Sequence, residues 1–223
     1  MSLLQKLSLA LIGTSIVFMS ANPASAISLT KGGSSLVSGE GQYTNIQGAT
    51  TINFNDGIAP TSGYVSYSAN SAVVQRNRSG KYATPFGNTS KYLTVSPDTK
   101  DVTIKFAAAI DYFGFYWGSI DKYNFVDVYS GGSLLQTFTG ADVPGAPANG
   151  AQSGNVNNVY VNLLGDKGES FDKIVFRSTS FAFETDNHSY RLASVPEPTT
   201  ILGLLAFGAM GAGSVIKRKS KIA

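Results

Sequence analysis

Between Ile27 and Ala193, apolar and polar residues alternate in short runs, and clusters of Gly, Asn, Asp and Ser separate these runs. Alternation with a period of two is typical of a β-strand with one buried face, and no convincing 3.6-residue helical period is present. The pattern predicts strands at residues 50–55, 63–74, 92–95, 102–107, 112–118, 125–129, 133–139, 158–163, 173–178 and 182–184. Many short strands joined by turn residues favour an all-β fold, and we expect an antiparallel β-sandwich of the jelly-roll type.

The clearest local prediction is a β-hairpin. Two alternating runs, 125–129 and 134–138, flank Gly131 and Gly132. Glycine adopts positive φ without steric cost, so this pair suits a tight reversing turn. Residues 75–88 and 140–157 lack the periodicity of an element, and we expect both to be long surface connections.

The densest aromatic segment surrounds Trp117, the single tryptophan of the chain. Alternation places Phe113, Phe115 and Trp117 on one face of the predicted strand and Tyr116 on the other. Two interpretations are open. The face that carries Trp117 fills the core, or the rings of Tyr116, Trp117 and Tyr123 form a platform on which a sugar ring stacks.

A group of oxygen donors, Glu184, Asp186 and Asn187, lies near the end of this region. Ca²⁺ takes six to eight hard oxygen ligands, so these side chains are candidate calcium ligands. Other acids that would join such a site are Asp111, Asp121 and Asp127. The alternative is a polar turn in which Asp186 and Asn187 bond their own backbone.

Enzymatic activity is not expected. The chain has no cysteine, which excludes thiol catalysis, thiolate metal sites and disulfides. His188 is the only histidine, and we expect it to be a solvated turn residue. A glycoside hydrolase needs two carboxylates, and the 14 acidic residues leave this less favoured alternative open without pointing to a pair.

The first 26 residues have the layout of a secretory signal peptide. A positive charge at Lys6 precedes an apolar stretch at 7–19, and the small-residue site Ala24, Ser25 and Ala26 follows. We expect signal peptidase to cut after Ala26, so that the mature chain begins at Ile27. The alternative is an N-terminal helix that is retained.

The last segment, residues 195–223, has three parts. It opens with a triplet that keeps the backbone extended, Pro196, Glu197 and Pro198. An uncharged apolar run at 199–216 follows, about 27 Å long as a helix and just sufficient to span a membrane. The chain ends in a basic cluster that holds this end on the cytoplasmic side, namely Lys217, Arg218, Lys219 and Lys221.

This ordered combination resembles the PEP-CTERM sorting signal of bacterial exosortase-dependent surface proteins. The resemblance implies that an integral-membrane exosortase recognises the tail, cuts near Pro196 to Pro198 and passes the protein to the cell surface or extracellular matrix. Residues 112–124 and the following hairpin also resemble a block found in PEP-CTERM surface proteins of cyanobacteria-like bacteria. An ordinary single-span membrane anchor is the alternative for the tail.

The positive charge of the chain comes from its ends. Five of the 17 Lys and Arg residues lie in the two terminal segments, so residues 27–198 hold 12 basic and 14 acidic residues, a net charge of −2. This balance gives no reason to expect a nucleic-acid partner. We therefore expect residues 27–194 to form one exported, non-enzymatic domain that is structural, adhesive or associated with polysaccharide. A calcium-assisted carbohydrate-binding module is the alternative.

Overall fold

The computed structural model of the chain describes residues 27–194. The predicted signal peptide, the apolar run at 199–216 and the basic tail lie outside the described residues. Within 27–194, no helix has the length and apolar character needed to cross a membrane.

The described residues form thirteen strands and two single-turn 3₁₀ segments. The strands are β1 (Ile27–Lys31), β2 (Ser34–Val37), β3 (Gly41–Thr44), β4 (Thr50–Ile52), β5 (Val65–Tyr67), β6 (Ala72–Gln75), β7 (Lys91–Val95), β8 (Val102–Gly118), β9 (Asn124–Ser130), β10 (Ser133–Thr139), β11 (Val159–Gly165), β12 (Phe171–Ser178) and β13 (Phe183–Leu192). The 3₁₀ segments are Gly140–Asp142 and Asp166–Gly168.

Eleven of these strands belong to one antiparallel sheet, and its main path runs β10-β9-β12-β8-β13-β7-β6. Four further strands join beside this path: β5 and β11 pair with β8, β4 pairs with β13, and β1 pairs with β11. Strands β2 and β3 form a separate hairpin.

The long strand β8 belongs to both halves of the sheet. Its first half pairs with β12 and β5, and its second half pairs with β11 and β13. The pairing is irregular between the two halves: Phe171 and Lys173 of β12 are two residues apart, whereas their partners Ile110 and Lys105 are five apart. The extra residues on β8 form a bulge, which bends the strand.

The sheet folds over itself at this bend and encloses an aromatic core. Phe176 on β12 lies with its ring centroid 5.0 Å from that of Phe115 and 6.1 Å from that of Phe113, both on the second half of β8. Trp117 packs beside Phe183 of β13, with a centroid distance of 4.7 Å. Side chains from both halves therefore share one core.

The all-β, antiparallel class predicted from the sequence is confirmed. The arrangement differs from the predicted jelly-roll sandwich because the facing layers are one sheet, continuous through β8. The predicted strands 102–107 and 112–118 are parts of this strand. The exposed residues Ala107, Ala108 and Ala109 interrupt the alternation where β8 bends, which is why the pattern suggested two strands.

The β9–β10 hairpin is confirmed. Ser130 pairs with Ser133, and the two residues between them, Gly131 and Gly132, have φ of 53° and 87°. The predicted strand 63–74 is instead two strands, β5 and β6. The sequence pattern did not identify β1, β2 or β3.

The last strand is longer than predicted. The sequence indicated a strand at 182–184 followed by a polar turn, but β13 continues to Leu192. Asn187 has a φ of 51°, and the pairing with β8 shifts between Asp186 and Ser189. Asp186 and Asn187 therefore lie at a bulge within β13 and not in a turn that ends it. The strand continues because these residues are buried on both faces and β13 pairs with β8 before and after them.

The contact between the two halves of the sheet can be tested at Phe176. We expect Phe176→Ala to lower the free energy of unfolding by about 3–5 kcal/mol, because the deletion leaves a cavity among packed rings. The measurement is urea denaturation of the full chain in detergent. Leu134→Ala is the control, because Leu134 is 54% exposed and its loss should change stability by less than about 0.5 kcal/mol. Equal, small effects of the two changes would contradict the described core.

Candidate functional site

The second face of the β8–β13 region is polar, yet it is buried. Phe113, Phe115 and Trp117 point into the aromatic core, so the alternate residues of β8 point away from it. These outward side chains, together with their neighbours on β11 and β13, are almost completely shielded from solvent: Tyr112, Tyr116, Tyr160, Glu184, Asp186 and Asn187. A buried polar face needs hydrogen-bonding partners on its outer side.

Two covering segments supply these partners: residues 76–90 and the β2–β3 hairpin. In the first, the Ala83 amide donates to Glu184 Oε1 at 2.8 Å, and Asn88 Nδ2 donates to Asp186 Oδ2 at 2.5 Å. In the second, the carbonyl oxygens of Glu40 and Gln42 accept hydrogen bonds from Asn187 Nδ2 at 2.7 and 3.0 Å. The stretch predicted as a surface loop thus covers the sheet.

Close packing fixes the covering segments on the tyrosines of β8. Tyr116 Oη donates to the carbonyl oxygen of Phe86 at 2.5 Å. A Cβ atom added to Gly41 would lie 2.6 Å from the Tyr116 ring, and one added to Gly118 would lie 2.9 Å from Pro85. Glycine is required at both positions because the backbone approaches its neighbour so closely.

A pocket of about 380 Å³ opens between the covering segment 76–90 and the end of β8, and we call it the Glu184 pocket. Its buried wall contains Ala83, Ser119, Asp121 and Glu184. Its more exposed lining includes Arg78, Lys81, Tyr82, Tyr123, Gln152 and Phe181. A volume in the range of about 300–1,000 Å³ is typical of small-molecule sites.

The carboxyl group of Glu184 has an unusually high pKa. Burial raises the pKa of Glu184 to about 8, although the Ala83 amide and the neighbouring Ser119 hydroxyl oppose this shift. The second oxygen, Oε2, is buried and has no hydrogen-bond partner among the described residues. With a pKa of about 8, Glu184 is mainly uncharged at neutral pH.

Burial also raises the pKa of Asp121, and a hydrogen bond from Tyr123 opposes that shift.

Asp186 has a similar environment but a complete set of partners. Burial raises its pKa to about 8, against the opposing hydrogen bonds from the Asn187 amide, Asn88 and Ser90. Its Oδ1 accepts from the Asn187 amide at 2.7 Å. The predicted bond of Asp186 to its own backbone is thus present, although in a strand bulge.

His188 lies on the other side of β13, inside the aromatic core. Its Nδ1 is 2.9 Å from Tyr67 Oη, and its Nε2 is 2.9 Å from Thr185 Oγ1. Burial lowers the pKa of His188 to about 3, so the ring is neutral at physiological pH. The prediction of a solvated turn residue was wrong, because the bulge at Asn187 turns the following side chain into the core.

The three aromatic residues proposed as a sugar platform occupy different environments. Trp117 and Tyr116 are fully buried, so neither ring presents a face to a ligand. Of the two interpretations of this segment, burial favours core packing. Tyr123 lines the Glu184 pocket, and its hydroxyl donates to the Phe181 carbonyl oxygen at 3.0 Å.

The candidate calcium ligands do not form one cluster. Glu184 bonds Ala83, Asp186 bonds Asn88, and Asn187 bonds the β2–β3 hairpin. Within 27–194, no group of three or more His, Cys, Asp or Glu side chains is close enough to hold a metal ion. No local sequence pattern marks Ser119, which is a buried residue in the wall of the Glu184 pocket.

A comparison with known families identifies the tail of the chain. Residues 194–219 match the PEP-CTERM protein-sorting motif, which marks an exosortase-dependent protein. Proteins with this motif are exported and sorted to the cell surface, and exosortase processes them. The resemblance of the tail to this sorting signal is therefore confirmed. No curated protein matches the chain.

The buried carboxyl of Glu184 predicts a pH-dependent stability. The unfolded chain releases this proton near pH 4.5, whereas the folded chain retains it up to about pH 8. The stabilisation that this group contributes is thus fully present below pH 4.5 and is lost as the pH rises to about 8. We expect Glu184→Gln to reduce this fall, as measured by urea denaturation across the window.

The matched control is Asp101→Asn, because Asp101 is an exposed carboxylate on the surface. This variant should retain the slope of the unmodified chain. An unchanged slope in Glu184→Gln would mean that Glu184 is ionised in the folded protein, contrary to its burial.

Proposed function

We propose that the mature protein is a non-enzymatic component of the cell surface or extracellular matrix, with a structural or adhesive role in association with extracellular polysaccharide. The PEP-CTERM motif at 194–219 is the single observation that carries the destination. The described domain supports the role because its large aromatic rings stabilise the fold and its one histidine lies in the core, away from the pocket.

The processing steps follow from the two terminal segments. Signal peptidase removes residues 1–26 during export. The membrane then holds the apolar run at 199–216, and the basic tail of Lys217, Arg218, Lys219 and Lys221 stays on the cytoplasmic side. Exosortase recognises Pro196, Glu197 and Pro198 and releases the domain near that triplet.

The sorting step is tested by replacing Pro196, Glu197 and Pro198 with Ala in the native host. We expect an unprocessed, membrane-bound chain, because alanines allow the helix to continue through the recognition site. The measurement is membrane fractionation with immunoblotting of the recovered chain. Processing that continues unchanged would contradict the role of the triplet.

Association with polysaccharide is tested by co-fractionation. We expect the mature protein to remain with the purified extracellular polysaccharide of its host and to be released when that polysaccharide is digested. A strain without exosortase is the control, since the protein should then stay in the membrane fraction. Recovery of the mature protein as free, unbound chains in the medium would contradict a polysaccharide-associated role.

A glycoside hydrolase is a second candidate because Asp121 and Glu184 line the same pocket. A carboxyl group with a raised pKa beside a second carboxylate is the arrangement that glycoside hydrolysis uses. Release of reducing ends from a polysaccharide by the full chain, and its loss in Glu184→Gln, would establish this activity. The divergent partners of Glu184, Asp186 and Asn187 give no support to a calcium-assisted module.

A further inference from the structure

The bend of β8 carries an exposed surface of apolar side chains. Residues 107–109 are three alanines, and all three are exposed. The Ala193 amide donates to the Ala109 carbonyl oxygen at 3.1 Å, which fixes the end of β13 beside the bend. Leu192, the last residue of β13, is 51% exposed, although its partner in β8, Ile110, is buried. The end of β13 and the bend of β8 thus form one apolar surface.

Two tyrosines extend this surface. The rings of Tyr64 and Tyr190 are stacked, with centroids 5.7 Å apart and an interplanar angle of 10°. Tyr64 Oη lies 3.5 Å from the Ala108 carbonyl oxygen, and the Tyr190 ring centroid is 5.4 Å from that of Phe106. Both tyrosines are half-buried and pack against the core, so part of each ring remains exposed. We call this surface the bend patch, and it consists of Tyr64, residues 107–109, Tyr190 and Leu192.

Charged groups border the bend patch. Lys105 is exposed two residues before the alanines. Arg191 pairs with Asp111, with 2.9 Å between Nε and Oδ1, and Asp172 Oδ2 accepts from the Gly131 amide at 3.1 Å. Tyrosines and apolar side chains inside a charged border are typical of a surface at the membrane–water interface, where aromatic rings lie at the level of the lipid head groups.

The chain that follows the patch is short. Ser194 is only five residues before Thr199, the first residue of the uncharged apolar run. Even fully extended, this connection spans at most about 18 Å. While the run at 199–216 crosses the membrane, the bend end of the domain therefore lies close to the membrane surface.

We propose that the bend patch docks the domain onto the lipid bilayer while the chain is anchored, with Tyr64, Tyr190 and Leu192 at the level of the head groups. This inference rests on the proposed processing scheme, in which the run at 199–216 holds the chain in the membrane. Docking keeps residue 194, where the sorting motif begins, at the membrane surface, where an integral-membrane exosortase can reach the motif.

The contact also sets the orientation of the domain. Leu192 pairs with Ile110 at one end of β13, and Glu184 pairs with Gly118 near the other. Eight residues of β8 separate these two positions, a distance of about 26 Å in an extended strand. The Glu184 pocket therefore lies on the side of the domain that faces away from the membrane.

The absence of cysteine from the chain permits a site-specific test. The chain with Ala108→Cys is recovered from a host strain without exosortase, labelled with an environment-sensitive fluorophore, and reconstituted into vesicles of phosphatidylethanolamine and phosphatidylglycerol in equal parts. We expect blue-shifted emission and quenching by lipids that carry a nitroxide near the head group. Val156→Cys is the matched control, because Val156 is 56% exposed and precedes β11 at the opposite end of the domain. Its label should not be quenched.

A second pair of variants links the signal to the patch. We expect Leu192→Asp to lower the quenching of the Ala108 label about twofold or more, because a carboxylate favours water and is repelled by an anionic leaflet. Val156→Asp is the control and should leave the quenching unchanged. Both variants should unfold at the same urea concentration as the unmodified chain, because both replaced side chains are exposed.

Three results would overturn the inference. An unquenched Ala108 label would mean that the domain stands clear of the bilayer. Equal quenching of the Ala108 and Val156 labels would mean that neither end is directed towards the lipid. Blue-shifted emission without quenching by the lipids would mean that a second copy of the protein covers the patch.

Extraction of the vesicles with alkaline carbonate separates this inference from the processing scheme. If carbonate releases the chain, the apolar run is not an anchor, and both the scheme and the docking contact fail. If the chain stays in the vesicles while its Ala108 label is unquenched, the anchor stands and only the docking contact fails. Co-fractionation with polysaccharide is measured on the processed protein and is independent of either result.

Discussion

Burial of both faces of β13 is the constraint on which the rest of the domain depends. Phe183, Thr185 and His188 face the aromatic core, whereas Glu184 and Asp186 face the opposite side and are equally shielded. A strand of this kind cannot lie on a solvated surface, because its carboxyl groups lack solvent and need partners from elsewhere in the chain. The covering segments donate hydrogen bonds to Glu184 and Asp186, and at the bulge the Asn187 amide donates a further one to Asp186.

The covering segments explain why long stretches without regular structure are ordered around the site. Within residues 76–90, the backbone amide of Ala83 donates a hydrogen bond to Glu184, and the side-chain amide of Asn88 donates one to Asp186. Because burial keeps both carboxyls mainly uncharged at neutral pH, these contacts are hydrogen bonds without a full charge to solvate. The cover does not satisfy every polar atom of this face, since Glu184 Oε2 and Asn187 Oδ1 are buried without a hydrogen-bond partner among the described residues.

Much of the sheet follows from the alternation of residues, whereas its closure does not. The alternation of Phe113, Phe115 and Trp117 located the core face, and Gly131 and Gly132 located the hairpin. Asp186 and Asn187 were interpreted as a polar turn or a calcium site, because alternation detects only strands with one apolar and one solvated face. Burial of such a strand depends on distant segments, which local patterns do not reveal.

The candidate site was only partly predictable for the same reason. Glu184 and Tyr123 were identified from their chemistry, but as members of two different hypothetical sites, and the fold brings them to one pocket. Ser119 follows the end of a strand and has an ordinary sequence context. Its position is fixed by Asn158, 39 residues away, whose Oδ1 accepts from the Ser119 backbone amide and from the Phe86 amide of the covering segment.

The most direct test of this account is a carbon-13 NMR titration of the side-chain carboxyl groups of Glu184 and Asp186 in the full chain. If the covering segments shield the polar face of β13, both groups should titrate near pH 8. Titration of both near their ordinary values of 4.5 and 3.8 would mean that solvent reaches this face, and would contradict the arrangement on which the pocket depends.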